Sequence, residues 1–191
     1  MSSAVSFAAR RGYFVIALSV LVLDQATKIT AHRWLANRGP VEIIPSFLNL
    51  SYSRNAGGLF GYFRDLPDPW RSLLLMLLPL AAVAMITWFL ARGEGDDRRS
   101  LWGLALILGG AVGNLIDRIF RGEVVDFLDV YAASPGLADW LIERFGTAHW
   151  PTFNLADSAI VTGAGLLLLT IVRPPATESR SRSDNPSEAA G

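Results

Sequence analysis

Apolar residues are gathered into four blocks along the chain, and polar stretches separate them. The blocks run over residues 13–31, 73–90, 101–120 and 153–172. A helix needs about 17 to 25 predominantly apolar residues to cross a bilayer. The pattern therefore predicts an all-α membrane protein with four transmembrane helices.

The polar stretches predict two long loops on the same side of the membrane, at 32–72 and 121–152. In the first loop, residues 41–44 and 47–52 have the composition of short strands, and Pro45 and Ser46 separate them. We expect a small periplasmic β-sheet there. An amphipathic segment in the membrane interface is indicated by the aromatic residues Phe60, Tyr62, Phe63 and Trp70.

The arginines predict the orientation, because short segments rich in Lys and Arg stay in the cytoplasm. Eight arginines lie in short segments on one side of the spans, and the other eight are spread over nearly twice the length. The denser set is Arg10, Arg11, Arg92, Arg98, Arg99, Arg173, Arg180 and Arg182. Both termini are thus expected in the cytoplasm of a bacterial inner membrane, and both long loops outside it.

The amino-acid composition limits the kinds of functional site that the chain can form. The 191 residues are 51% hydrophobic and carry no net charge, so a basic nucleic-acid surface is not expected. There is no cysteine and there are only two histidines, which argues against thiolate catalysis and a zinc site. We expect one domain over 1–173 with no metal and no cofactor, and a disordered cytoplasmic tail over 174–191. Any catalysis must come from carboxylates or hydroxyls.

Ionisable residues inside the spans are the first candidates for function, because each costs about 2.5 to 3.5 kcal/mol near the centre of a bilayer. Asp24 and Lys28 lie one turn apart on the first span and share a helix face. They form either a structural ion pair or part of a catalytic site.

The third span combines small and polar residues. Gly109 and Gly113 form a G-x-x-x-G face that lets another helix approach closely, and Asn114 and Arg118 align one turn apart. For these residues, packing together with a polar network of Asp117 and Arg118 near the interface is favoured over chemistry.

Two more carboxylates bracket the second long loop. Asp126 follows the third span, and Asp157 lies at the start of the fourth, three residues after Asn154. The N-x-x-D spacing by itself favours a helix cap. Both spans end on the same side, however, which brings Asp126 and Asp157 to one depth. Two carboxyls in contact share one proton, so one can act as a base toward water and the other as an acid.

Five motifs in order resemble those of the lipoprotein signal peptidase (signal peptidase II) family over residues 13–172. They are Asp24-Gln25-Ala26-Thr27-Lys28, Asn55-Ala56-Gly57-Gly58-Leu59-Phe60, Gly113-Asn114-Leu115-Ile116-Asp117-Arg118, Val125-Asp126-Phe127 and Asn154-Leu155-Ala156-Asp157. The resemblance implies an aspartyl endopeptidase that cleaves diacylglyceryl-modified prolipoproteins on the N-terminal side of the lipidated cysteine. Membrane lipid is then an expected partner, and the cyclic peptide globomycin an expected inhibitor.

The resemblance also implies roles for individual residues. It makes Asp126 and Asp157 catalytic. Substrate binding or support of the site is implied for Asn55, Gly57, Asn114, Arg118, Asn154, Asp24, Lys28 and Asp117.

One feature departs from the family pattern. The 31 residues from Asp126 to Asp157 are more than the family is expected to have, and the extra stretch at 132–149 has the alternation of an interfacial helix. Asp129 is the rival to Asp126, one turn away if this segment is helical, but no motif covers it.

The polar residues in the spans leave two other functions open. A small proton-coupled transporter would also need charges inside the membrane, although the acids gather at one interface and no inverted repeat is visible. A membrane scaffold protein would need none of the carboxylates for chemistry.

Overall fold

The computed structural model describes residues 7–56, 66–92 and 97–172. Over this part of the chain the elements are, in order, α1 (Phe7–Leu35), β1 (Val41–Ile44), β2 (Leu48–Asn55), α2 (Asp68–Arg92), α3 (Arg98–Arg121), β3 (Val124–Val130), α4 (Pro135–Phe145) and α5 (Leu155–Val172). Four of these helices, α1, α2, α3 and α5, are long and apolar enough to cross a membrane. The prediction of four transmembrane helices with a small sheet is confirmed.

The helices differ from the predicted spans mainly at their ends. α1 begins six residues earlier and ends four residues later than its apolar block, because polar residues such as Arg10 and His32 continue the helix beyond the apolar part. α5 begins at Leu155, two residues later than predicted. Asn154 precedes it as the capping residue, and its side chain accepts a hydrogen bond from the N–H of Asp157 at 2.9 Å.

α3 is the central helix of the bundle. Its apolar window is 56% buried, compared with 22% or less for the other three spans. Asp97 caps the start of α3 by accepting a hydrogen bond from the N–H of Ser100, and Gly122 ends it with a positive φ of 80°. The other spans leave large apolar side chains exposed, which is the surface that a bilayer covers.

Glycines let α1 and α5 approach α3 at backbone distance. A Cβ atom on Gly109 would lie 2.5 Å from the carbonyl oxygen of Ala17 in α1. A Cβ on Gly110 would lie 2.5 Å from that of Ala156 in α5, and one on Gly113 would lie 2.5 Å from Asp24 Oδ2. The predicted close approach at Gly109 and Gly113 is confirmed, and it brings Asp24 against α3.

The sheet has three antiparallel strands in the order β1-β2-β3, and only two of them were predicted from the sequence. Two residues separate the end of α3 from the start of β3. Asp126 lies on β3, and this strand pairs with β2 of the first loop. β2 continues to Asn55, three residues beyond the predicted strand, and Asn55 pairs with Val124. Asp129 also lies on β3, so the helical spacing considered for Asp126 and Asp129 is wrong.

The sheet rests on the end of α1. Ala31 and Leu35 of α1 pack with Phe127 of β3, and Leu50 and Tyr52 of β2 lie against them. The predicted extra helix is present as α4, with Pro135 in its first turn and Gly146 ending it at φ 78°.

Some predictions fall outside the described residues. These are the interfacial segment around Phe60, Tyr62 and Phe63, the site residue Gly57, and the tail at 174–191. Trp70, which was assigned to the same interfacial segment, lies in α2.

Candidate active site

Asp126 lies on β3 and is held by two amide side chains. Its carboxyl group is almost fully buried. Asn154 Nδ2 donates to Asp126 Oδ1 at 2.7 Å, and Asn55 Nδ2 donates to Oδ2 at 3.1 Å. Each oxygen therefore has one neutral donor, and the orientation of the carboxyl group is fixed from both sides.

Asp157 lies in the first turn of α5, next to the same asparagine. Asn154 N donates to Asp157 Oδ2 at 3.2 Å, while Asp157 N donates to Asn154 Oδ1. This reciprocal arrangement is a capping box, as the spacing alone favoured. The second oxygen, Oδ1, accepts a hydrogen bond from Asn114 Nδ2 at 2.8 Å. The residues that cap α5 are thus also residues of the candidate site.

Asn154 joins the two carboxyl groups. Its side-chain amide donates to Asp126, while its backbone N–H and its side-chain oxygen bond to Asp157. Asn154, which is fully buried, therefore bonds to two acids that come from elements distant along the chain. In this arrangement the charge of Asp157 lies near enough to Asp126 to affect the ionisation of Asp126.

The electrostatics follow from this proximity. Burial, and to a smaller extent the nearby charge of Asp157, raise the pKa of Asp126 to about 7. The hydrogen bonds from Asn55 and Asn154 act in the opposite direction. A large share of the Asp126 carboxyl groups is therefore protonated at neutral pH. The guanidinium of Arg118 interacts electrostatically with both Asp157 and Asp126, from one side of the pair.

A buried charge cluster lies beneath the pair. Lys28, the only lysine of the chain, is fully buried and lies 2.9 Å from both Asp24 Oδ2 and Asp117 Oδ2. It also donates to Asn114 Oδ1 at 2.8 Å. That bond fixes the Asn114 amide so that its NH2 group faces Asp157.

The two acids of the cluster hold the backbone beside the candidate catalytic residues. Asp24 Oδ1 accepts a hydrogen bond from the N–H of Ala156, the residue before Asp157. Asp117 Oδ2 accepts one from the N–H of Val125, the residue before Asp126. The sequence left open whether Asp24 and Lys28 are structural or catalytic; in the structure Asp24 bonds to the backbone before Asp157, and Lys28 bonds to Asn114.

Two residues of this network had no assigned role in the sequence analysis. Arg121 forms an ion pair with Asp117 and donates to Gln25 Oε1 at 3.0 Å. Gln25 Nε2 in turn donates to Asp117 Oδ1 at 3.2 Å. Gln25 could have been identified from the sequence because it is part of the first motif. Arg121 could not, because its local pattern is that of an ordinary basic residue at the end of a helix.

Asp129 does not join the pair. It lies three positions along β3 from Asp126, on the opposite face, as an odd spacing in a strand requires. Its carboxyl group lies 2.7 Å from His149 Nδ1 and accepts a hydrogen bond from Asn49 Nδ2 at 3.3 Å.

The protein has four helices long and apolar enough to span a membrane, and two neighbouring carboxyl groups lie at one end of them. It is a multi-pass membrane protein with a candidate acid–base site. The family model described as "Signal peptidase (SPase) II" matches residues 16–173. The lipoprotein signal peptidase of Solibacter usitatus is 40% identical over 164 residues, which cover 86% of this chain and 92% of that protein. That of Geobacter metallireducens is 37% identical over 175 residues, covering 92% and 97%.

Solved structures agree with this assignment. A bacterial membrane enzyme structure obtained by the in meso method superposes with a TM-score of 0.69 at 25% identity, covering 91% of this chain and 99% of that chain. This chain therefore belongs to the signal peptidase II family, a family of proteases of the bacterial inner membrane. These comparisons give no support to a transporter or a scaffold protein.

Proposed function

We propose that this chain is an aspartyl endopeptidase that removes signal peptides from diacylglyceryl-modified prolipoproteins, cleaving on the N-terminal side of the lipidated cysteine. Asp126 and Asp157 are the catalytic residues. The observation that carries the proposal is that Asn154 bonds to both carboxyl groups, which come from a strand and a helix that are distant along the chain.

The unequal surroundings of the two acids support different roles for them, one as the general base and the other as the general acid. Asp157 takes a proton from a water molecule, whose oxygen attacks the carbonyl carbon of the scissile peptide. Asp126, protonated near neutral pH, donates its proton to the carbonyl oxygen. When the tetrahedral intermediate collapses, the C–N bond breaks, the proton on Asp157 passes to the leaving amine, and a hydroxyl proton of the intermediate returns to Asp126, so both carboxyl groups regain their starting states.

The asparagines and Arg118 position these groups. Asn55 and Asn154 orient Asp126, and Asn114 orients Asp157 through its bond to Lys28. Arg118 offers a positive charge near the pair, which stabilises the negative charge that develops on the substrate oxygen.

The location of the site supports the substrate class. β3 and the start of α5 lie at one end of the spanning helices, where a substrate with a signal helix and acyl chains can approach from the bilayer. The density of arginines at the opposite end supports placing both termini in the cytoplasm. The active site is then on the outer side of the membrane.

The purified protein is expected to cleave a diacylglyceryl-modified precursor peptide and to leave the unmodified precursor intact, with globomycin inhibiting the reaction. Mass spectrometry of the products locates the cut relative to the cysteine. Cleavage of both precursors at equal rates would contradict the proposed substrate class. No cleavage of either precursor would contradict the enzyme itself.

The rate should fall as the pH rises above about 7, because the proton held by Asp126 is then lost. The hydrogen bond from Asn55 lowers the pKa of Asp126. The variant Asn55→Leu should therefore move the falling limb of the pH–rate profile of kcat to higher pH. A falling limb that stays in place, or moves to lower pH, would contradict Asp126 as the acid.

A further inference from the structure

A cavity lies beside α4, away from the candidate active site. Its volume is about 650 Å³, within the range of about 300 to 1,000 Å³ that is typical of ligand pockets. The apolar part of its wall consists chiefly of Phe47, Val130, Leu137, Leu141, Phe145 and Pro151. Val130 lies four residues along β3 from Asp126, about 13 Å at the rise of an extended strand, so this cavity is separate from the acid pair.

The lining offers very little unpaired polarity. None of the described residues that line the cavity is an Asp, Glu, Lys or Arg. The Tyr131 and His149 side chains already have partners, because Tyr131 donates to Glu42 at 2.6 Å and His149 Nδ1 lies 2.7 Å from Asp129. The hydroxyl group of Thr147 accepts from the N–H of His149. A peptide segment would leave backbone N–H and C=O groups unpaired in such a cavity, at a cost that an acyl chain does not have.

The helix over the cavity has the properties of an interfacial helix. α4, which the structure describes completely, has no buried residue. It exposes Leu137, Trp140, Ile142 and Phe145, and Trp150 is exposed just after it. Exposed tryptophans beside apolar side chains are typical of the membrane–water interface.

The two segments that flank α4 are held together at the end of β3. The N–H of Trp150 donates to Val130 O at 2.8 Å, and the N–H of Ala132 donates to Ala148 O at 3.0 Å, which closes the segment against the end of β3. Five residues after Trp150 the spanning helix α5 begins. The cavity therefore lies close, along the chain, to the start of a spanning helix.

We propose that this cavity binds one acyl chain of a membrane phospholipid, with α4 lying in the outer interface as its cover. The proposal depends on the spanning helices but not on the catalytic roles of the aspartates. The site anchors the sheet that carries Asp126 to the bilayer through the inserted helix.

The test uses the full-length protein in nanodiscs that contain phosphatidylglycerol with a diazirine in the middle of one acyl chain, without substrate. After irradiation, mass spectrometry maps the lipid adducts. Adducts are expected in the segment 130–151 as well as on α2, whose exposed leucines face the bilayer. Absence of adducts in 130–151 would overturn the proposal.

Variants that fill the cavity separate binding inside it from general contact with lipid. Ala148→Trp and Leu141→Trp add volume to the lining from two places, and each should reduce adducts in 130–151 roughly tenfold while those on α2 stay constant. Glu143→Trp adds the same ring to α4 at a position that does not line the cavity, and should retain the adducts. Equal adduct yields in all three variants would mean that lipid touches only the outside of α4, which would overturn the proposal.

Discussion

Asp126→Asn and Asp157→Asn should each abolish cleavage of a diacylglyceryl-modified precursor, with a fall in rate of at least about a thousandfold. Either change removes one half of the acid–base pair while keeping the size of the side chain. An amide in place of the Asp126 carboxyl could still accept a hydrogen bond from Asn154, but it could not supply a proton that cycles through the reaction. The measurement is single-turnover cleavage of the precursor by the purified variants.

Asp129→Asn is the matched control. Asp129 lies on the same strand and is also a buried carboxylate, but it bonds to His149 and Asn49 and not to Asn154. This variant should keep its activity within a few-fold of the parent. Full activity in Asp126→Asn, or a loss in Asp129→Asn as large as in Asp157→Asn, would refute the assignment of the pair.

Lys28→Met should strongly destabilise the protein. Lys28 is the cation between the buried carboxylates of Asp24 and Asp117, and its removal leaves Asp24 without its cation, while Asp117 keeps only its pair with Arg121. Removing one partner of a buried ion pair costs about 3 to 5 kcal/mol. The free energy of unfolding in mixed micelles, obtained by equilibrium denaturation, measures this effect.

Two further variants show whether the charge itself is responsible. Arg54→Gln breaks the exposed pair with Glu123 and should cost at most about 1 kcal/mol. Lys28→Met combined with Asp24→Asn removes one negative charge together with the positive one and should recover part of the loss, because Asp117 keeps its bond to Arg121. A single variant Lys28→Met as stable as Arg54→Gln would show that the buried cluster contributes little to the fold.

Much of the candidate site was visible in the sequence because its residues fall in short motifs. Asp24 and Lys28 were expected to pair from their spacing, and they do, at 2.9 Å. The third member of that cluster was not identifiable, since Asp117 comes from another helix and its approach to Lys28 depends on Gly113 packing against α1. Arg121 could not be identified for the same reason, because it joins the network only by its bonds to Asp117 and Gln25.

β3 shows why the path of the second loop could not be predicted. Its seven residues follow directly on a long helix, and a short apolar run of this kind is compatible with a strand or with the end of a helix. Pairing with β2 decides between them, and that pairing joins residues about 70 to 80 positions apart. It also places Asn55 on Asp126, a contact that no local pattern contains.

The sequence by itself determined that the chain crosses the membrane four times, because the length and apolarity of a span are local properties of about 20 residues. It also determined that carboxylates are the available acid–base groups, since cysteine is absent and histidine is scarce. Only the tertiary structure decided that Asn154 bonds to both Asp126 and Asp157, that Asp24 and Asp117 hold the backbone beside them, and that α4 covers an apolar cavity. The physical reason is that hydrogen bonds and cavities between distant segments arise from packing, and a local pattern of residue types does not encode the distance between two side chains.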